Sequence, residues 1–276
     1  MTTDRPVPPD EPGRLDALFE LLWNDHAGIN SHARAVHDLL TARGETVVND
    51  HIALRTFDDP RVCIDVMARA FTDLGYRAVE RYDFETKHLR ARHYEHAEPG
   101  RPKVFISELD LSAFSDALRT IVARLLGQLP TGITDRADFV CCGRPWQASW
   151  RDYESLRAES EYAAWMAAFG FRANHFTVSV NHLTSVDGLA RLNELLTGQG
   201  FELNTAGGAI KGSPEQLLEQ SSTKAAAIRV QFSDRAREVP GCYYEFAHRH
   251  ERADGTLFEG FIAESADRIF ESTDPD

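Results

Sequence analysis

The sequence predicts an α+β fold made of two βαβββ-like modules, and three observations lead there. Two short runs alternate in character, Asp50–Phe57 (DHIALRTF) and Asn174–Asn181 (NHFTVSVN). Each run is followed by helical periodicity, and then by a glycine and an aromatic residue (Gly75-Tyr76, Gly200-Phe201) that open another extended run. Each set also ends in an apolar closing strand, Lys103–Leu109 in the first and Cys242–Ala247 in the second. His51 precedes Gly75 by 24 residues and His175 precedes Gly200 by 25. A repeat of that long period reads as a duplicated unit, not a solenoid.

The elements then follow in order. Residues 1–13 carry four prolines in their first twelve positions and no apolar core, which predicts a disordered leader and not a signal peptide. The remainder, 14–276, reads as one catalytic domain. Its helical flank, 14–49, holds one helix through Leu15, Leu18, Phe19, Leu22 and Trp23, and a second through Val36, Leu39 and Leu40 that stops near Gly44. The first module spans 50–110, with a helix over about 62–74. A helical connection, 111–173, places helices around 112–126 and 153–168. The second module and a C-terminal tail occupy 174–276, with a helix over about 186–196.

The chain has 276 residues, and 30 Lys+Arg against 43 Asp+Glu give a formal charge of −13. That sign argues against nucleic acid and anionic membrane surfaces as partners. The longest stretch without a charged residue, Ala173–Val186, is too short and too polar to cross a bilayer. A cytoplasmic protein is expected. Four cysteines, Cys63, Cys141, Cys142 and Cys242, form no CxxC spacing and are expected to stay reduced.

Strand parity decides which side chains share a surface. His51, Ala53, Arg55 and Phe57 fall on one face of the first strand, and His175, Thr177, Ser179 and Asn181 on the matching face of its counterpart. Both strands thus keep an apolar face for a helix and present histidine at the same place on the other. In the second closing strand, packing Tyr244 and Phe246 outward turns Glu245 inward beside the two histidines. Two imidazoles and a carboxylate make a facial triad with open positions, which suits non-haem Fe(II). Blander readings exist: a polar strand face can simply be solvated, and Glu245 can pair with a buried arginine.

Other candidates are weaker. Glu108 has outer-face parity and is not expected to be a ligand. His88, His93 and His96 read as a solvated hairpin, while His26, His32 and His37 read as surface or internally satisfied helix residues. His248 and His250 fall on the face opposite Glu245. Ser213-Pro214 reads as the start of a helix. No phosphate loop, nucleophile elbow or dinucleotide fingerprint occurs.

The segments Arg43–Phe57 (RGETVVNDHIALRTF), Gln220–Thr223 (QSST), Tyr244-Glu245-Phe246, and Gly260–Ile262 through Ala266–Thr273 resemble the 2-oxoadipate dioxygenase/decarboxylase family, with NDHIALRTF the most specific part. The resemblance runs from about Leu15 to Thr273. It implies the half-open barrel of the vicinal-oxygen-chelate enzymes, with His51, His175 and Glu245 as Fe(II) ligands. It also implies Arg55 as the catalytic residue that holds a substrate carboxylate, and His51 and His175 bordering the same substrate. A guanidinium pairs with a carboxylate through two parallel hydrogen bonds, and Arg55 lies about 13 Å along the strand from His51 at the backbone. The implied reaction turns 2-oxoadipate, or a related 2-oxo acid, and O2 into 2-hydroxyglutarate and CO2, as part of lysine catabolism. The chain ends 31 residues after Glu245, where family members are longer, so part of the pocket wall is expected to be missing. Two other functions fit the same residues: an isomerase or lyase using Zn²⁺, Mn²⁺ or Ni²⁺, and a non-catalytic module that binds a small anion.

Overall fold

The structure is a computed structural model that describes residues 13–262, so the expected leader, apart from Gly13, and the segment Ala266–Thr273 lie outside the described residues. Two helices come first, α1 (Arg14–Ile29) and α2 (Ser31–Ala42). The first module runs β1 (Asn49–Phe57), α3 (Ile64–Thr72), β2 (Tyr76–Phe84), β3 (Leu89–His96) and β4 (Lys103–Leu109). The connection holds α4 (Asp116–Leu126), α5 (Trp150–Arg157) and α6 (Glu161–Phe169). The second module runs β5 (Ala173–Ser179), α7 (Gly188–Gly198), β6 (Lys211–Ser213), β7 (Leu218–Ser222) and β10 (Tyr243–Arg249), with a separate hairpin, β8 (Ala227–Gln231) and β9 (Ala236–Pro240), inserted before its last strand.

Eight strands form one curled sheet in the order β2-β3-β4-β1-β5-β10-β7-β6. Each module begins with a strand whose closing strand lies parallel beside it, β4 on β1 and β10 on β5, and the two first strands pair antiparallel at the centre. This is the two-fold βαβββ arrangement expected from the repeat. The turn between the second and third strands is duplicated as well. In both modules one 3₁₀ turn (Glu85–Lys87, Pro214–Gln216) leads to a non-glycine residue with positive φ, His88 at 53° and Leu217 at 64°, followed by leucine.

The outer face of the central strands is apolar and covered by the helical flank. Trp23 packs on Phe176 and Tyr244 at ring-centroid distances of 5.3 and 5.7 Å. Phe176, Tyr244 and Phe246 are fully buried, each of the two phenylalanines contributing about 1.5–3 kcal/mol. Tyr244 and Phe246 therefore do face outward, as the parity argument required. His26 is buried against the Ala173 carbonyl, a satisfied helix histidine.

Three expectations need correction. The residues after Gly200-Phe201 do not form a long strand: only a bridge between Leu203 and Thr223 precedes the short β6. The start signal at Ser213-Pro214 yields one turn in place of a helix, because Leu218–Ser222 pairs with β10 and the chain must enter the sheet. The helix expected over 153–168 is two helices, since the Ser160 hydroxyl caps α6 by accepting from the Ala163 amide. All four cysteines are free thiols. Among the described residues no helix is long and apolar enough to cross a membrane.

Glu45 ties the end of α2 to the loop ahead of α7. Its carboxylate accepts hydrogen bonds from the Ser185 and Thr184 amides and the Thr184 hydroxyl. With the Ser185 side chain these hold its pKa down to about 2, from an ordinary 4.5. A depressed carboxylate pKa adds stability above the unfolded value and loses it as pH falls through the folded one. Glu45→Gln is therefore expected to lower the melting temperature at pH 7, with the gap from wild type closing between pH 4.5 and 2. A gap of constant size across that range would show that the ionised carboxylate is not what stabilises the loop.

Candidate active site

The register at the central seam builds the site. On β1 and β5, His51 lies opposite Thr177 and Ala53 opposite His175, so the two histidines are diagonal neighbours on one face. Their rings sit 5.6 Å apart at 85°. Across the parallel β5–β10 pairing Glu245 lies opposite Thr177. Thr177 therefore stands between His51 and Glu245, its hydroxyl 3.1 Å from His51 Nε2 and donating to Glu245 Oε1 at 3.3 Å. One ligand atom from each of His51, His175 and Glu245 lies within 4.8 Å of the other two, and all three residues are buried.

Both imidazoles are aimed by the residue just before them. His51 Nδ1 meets Asp50 Oδ1 at 2.7 Å, and His175 Nδ1 meets Asn174 Oδ1 at 3.1 Å. Asp50 is itself gripped by Arg249, Nε to Oδ2 at 2.7 Å and an NH2 nitrogen to Oδ1 at 2.8 Å. Burial opposes the Asp50 charge, but Arg249 and His51 overcome it and hold the carboxyl well below the usual range. An ionised carboxylate only accepts, so Nδ1 of His51 donates to Asp50, and Nε2 is the nitrogen that faces the cavity, 3.3 Å from Glu245 Oε1. Burial, with His51, Arg55 and His26 nearby, pushes the His175 pKa well down and keeps that ring neutral. Burial also works against protonating His51, but Asp50 and Glu245 outweigh it and raise its pKa.

The carboxylate of Glu245 is divided between two tasks. Oε1 accepts from Gln220 Nε2 at 2.6 Å and from Thr177, whereas Oε2 is buried and has no hydrogen-bond partner among the described residues. A buried carboxylate oxygen is costly unless a cation or donor meets it. Two imidazole nitrogens and that oxygen, with Asp50, Asn174 and Gln220 behind them, fit a divalent metal.

Arg55 lines the same cavity as the trio, together with Ser107, Phe105, Tyr243 and Phe261. Its guanidinium lies 5.0 Å from the rings of both Tyr162 and Trp165. These rings are fixed in turn: Tyr162 donates to the Ser107 carbonyl at 2.7 Å and Trp165 Nε1 to the Gly241 carbonyl at 3.0 Å. Tyr243 stacks on His175 at 4.7 Å, and burial keeps its phenol neutral. Glu108 points away and accepts from the Ile64 amide at the start of α3, as its parity implied.

Sequence reasoning missed several residues in and around this cavity. Gln220 was hidden by the helix expected at Ser213. Asp50 and Asn174 had a signal, an acid or amide directly before each repeated histidine. His93 is not solvated as expected: it is buried, 2.8 Å from the Tyr82 hydroxyl and beside Phe261, because the inner face of β3 belongs to the curl. After Glu245, Phe261 lines part of the cavity wall, packing edge-on to His51 at 4.8 Å.

The family model of 2-oxoadipate dioxygenase/decarboxylase matches residues 14–136 and 143–254. The chain belongs to this family. It is 34% identical over 253 residues to the chloroplastic 2-oxoadipate dioxygenase/decarboxylase of Arabidopsis thaliana, covering 81% of this chain and 67% of that one. Among solved structures, the hydroxyglutarate synthase of Oryza sativa in complex with 2-oxoadipate matches at a TM-score of 0.90 and 28% identity, over 99% of this chain and 97% of that one. A Shewanella frigidimarina protein described as a hydrolase matches at 0.87 and 46% identity, covering 90% and 98%. A glyoxalase superfamily protein from Ralstonia eutropha matches at 0.76 and 26% identity, covering 92% and 89%. The expected vicinal-oxygen-chelate type of half-barrel is thus the fold of this family member.

The support behind the imidazoles gives a direct test. Asn174→Ala is expected to weaken divalent-metal binding by about 10–100-fold, with the folded circular-dichroism spectrum kept. An unchanged affinity in competition with a chelator would remove Asn174 from the site.

Proposed function

We propose that the protein is an Fe(II)-dependent dioxygenase/decarboxylase that converts 2-oxoadipate, or a related 2-oxo acid, and O2 to 2-hydroxyglutarate and CO2. The observation that carries this reading is the placement of a buried His51–His175–Glu245 trio and a buried Arg55 in one cavity, in a chain of this family. The relative from Oryza sativa is named for its complex with 2-oxoadipate, which supports the same substrate class here.

His51, His175 and Glu245 would hold the metal, with Nδ1 of each ring kept out of the way by Asp50 and Asn174. Iron bound there supplies a chelation point for the 2-oxo acid end of the substrate and the redox partner for O2. Arg55 receives the far carboxylate through its planar fork, and the locked rings of Tyr162 and Trp165 keep that fork from swinging. Phe105 and Phe261 give the intervening methylenes an apolar surface and exclude water. Tyr243, a neutral phenol lining the cavity with Arg55 and Glu245, would donate a hydrogen bond to an oxygen of the substrate. The chain's charge of −13 does not favour an anion, so attraction must be local, from the metal and Arg55. A setting in lysine catabolism and in the cytoplasm belongs to the same proposal; the plant relatives carry chloroplastic names. Family membership favours this oxygenase reading over a redox-silent isomerase or a binding module.

Iron-loaded protein mixed with 2-oxoadipate is expected to consume O2 and release CO2 in equal amounts, and product formation without O2 uptake would refute the proposal. His175→Ala is expected to abolish stoichiometric iron binding together with turnover. Arg55→Ala is expected to raise KM for dicarboxylic oxo acids by at least about 10-fold while metal content holds, since a charge-assisted pair is worth roughly 1.5–3 kcal/mol. Loss of iron from that variant would show that Arg55 has another role.

A further inference from the structure

A second group of metal-binding side chains lies on the other face of the sheet. Along β10, Glu245 and Ala247 turn into the curl while Phe246 and His248 turn out, and His250 continues the outer row one residue past the strand. On β7, Gln220 turns in and Glu219 out, and Glu219 pairs in register with His248. His250 Nε2 lies 2.9 Å from Glu219 Oε2, and His248 Nδ1 lies 3.9 Å from the same oxygen. The two imidazoles are 4.6 Å apart, and one ligand atom from each of the three residues falls within 4.8 Å of the others.

We propose that Glu219, His248 and His250 form a second metal site, for a borderline divalent cation of the zinc class. Two imidazoles and a carboxylate are a common zinc donor set, and tetrahedral bonds of about 2.0–2.1 Å put ligand atoms roughly 3.4 Å apart. The present separations straddle that figure. The side chains are 27%, 23% and 19% exposed for His248, His250 and Glu219, so small rotations suffice and a fourth position opens to water. Asp187, just ahead of α7, acts electrostatically on His248 and adds negative charge near the site. Carboxylates and imidazoles alone would also suit Fe(II), but a site open to solvent has no redox role to protect, and zinc binds such donors more tightly than Fe(II).

An ion there would clamp β7 to β10. Those strands carry, on their inner faces, Gln220 and Glu245, which meet at 2.6 Å in the candidate active site. The outer ion therefore fixes the strand pair that orients the inner carboxylate, without touching substrate.

The test is a metal count on tag-free protein, stripped with a chelator and dialysed against a slight excess of Zn²⁺. Wild type is expected to take up two equivalents, and His248→Ala and His250→Gln one each. His175→Ala is expected to keep the outer equivalent. Should wild type bind only one, loss of that one in His250→Gln supports the outer site and counts against the inner trio; its survival overturns the outer site. Equal uptake by wild type and both outer-face variants also overturns it. Zn²⁺ should further raise the melting temperature of His175→Ala protein but not that of a His175→Ala/His250→Gln double variant, and equal rises would refute the clamp.

Discussion

Everything at the candidate active site depends on how β1 and β5 pair. Antiparallel pairing with Ala53 opposite His175 and His51 opposite Thr177 sets the two imidazoles diagonally on the concave face. A slip of one residue would reverse every side chain of one strand. His51 would then face the helices, and Phe176 or Ile52 would enter the cavity. The apolar outer row guards against this, because Ile52, Phe176 and Tyr244 are all fully buried under the helical flank. The register of the site is thus enforced from the opposite side of the sheet.

Beside that seam one set of buried charges is joined through hydrogen bonds. Asp50, His51, Arg249 and the carbonyls of Phe258 and Gly260 form one network, with Arg249 donating to both carbonyls at 3.0 and 2.8 Å. Removing one member of a buried ion pair costs about 3–5 kcal/mol, since the other is left uncompensated. Arg249 thereby links the orientation of His51 to the segment that brings Phe261 over it. Its guanidinium lies 5.3 Å from the Phe261 ring. The same arginine serves the geometry of the imidazole and the closure of the cavity wall.

Duplication explains the plan of the molecule and also its asymmetries. Each module supplies one histidine from its first strand and one hairpin built on the same left-handed turn. Only the second supplies a carboxylate from its closing strand, because Glu245 has inward parity while Glu108, in the first, has outward parity and caps α3 instead. Arg55 has no counterpart of charge either, since Ser179 takes the equivalent place four residues after His175. One half of the repeat is thus better suited to hold the acid end of a metal site and the other to meet a substrate anion.

The sequence by itself determined the repeat, the strand faces and the grouping of His51, His175, Arg55 and Glu245, because a period of two is a local property that alternation records directly. It did not reveal Gln220, since Ser213-Pro214 carries a sound helix-start signal and only pairing with β10 draws the chain into a strand. Nor did it show that His93 is buried, that Arg249 reaches Asp50 across 199 positions, or that Tyr162 and Trp165 enclose Arg55. Those contacts join residues whose spacing carries no period. They exist only once the sheet has curled and α6 has packed against it.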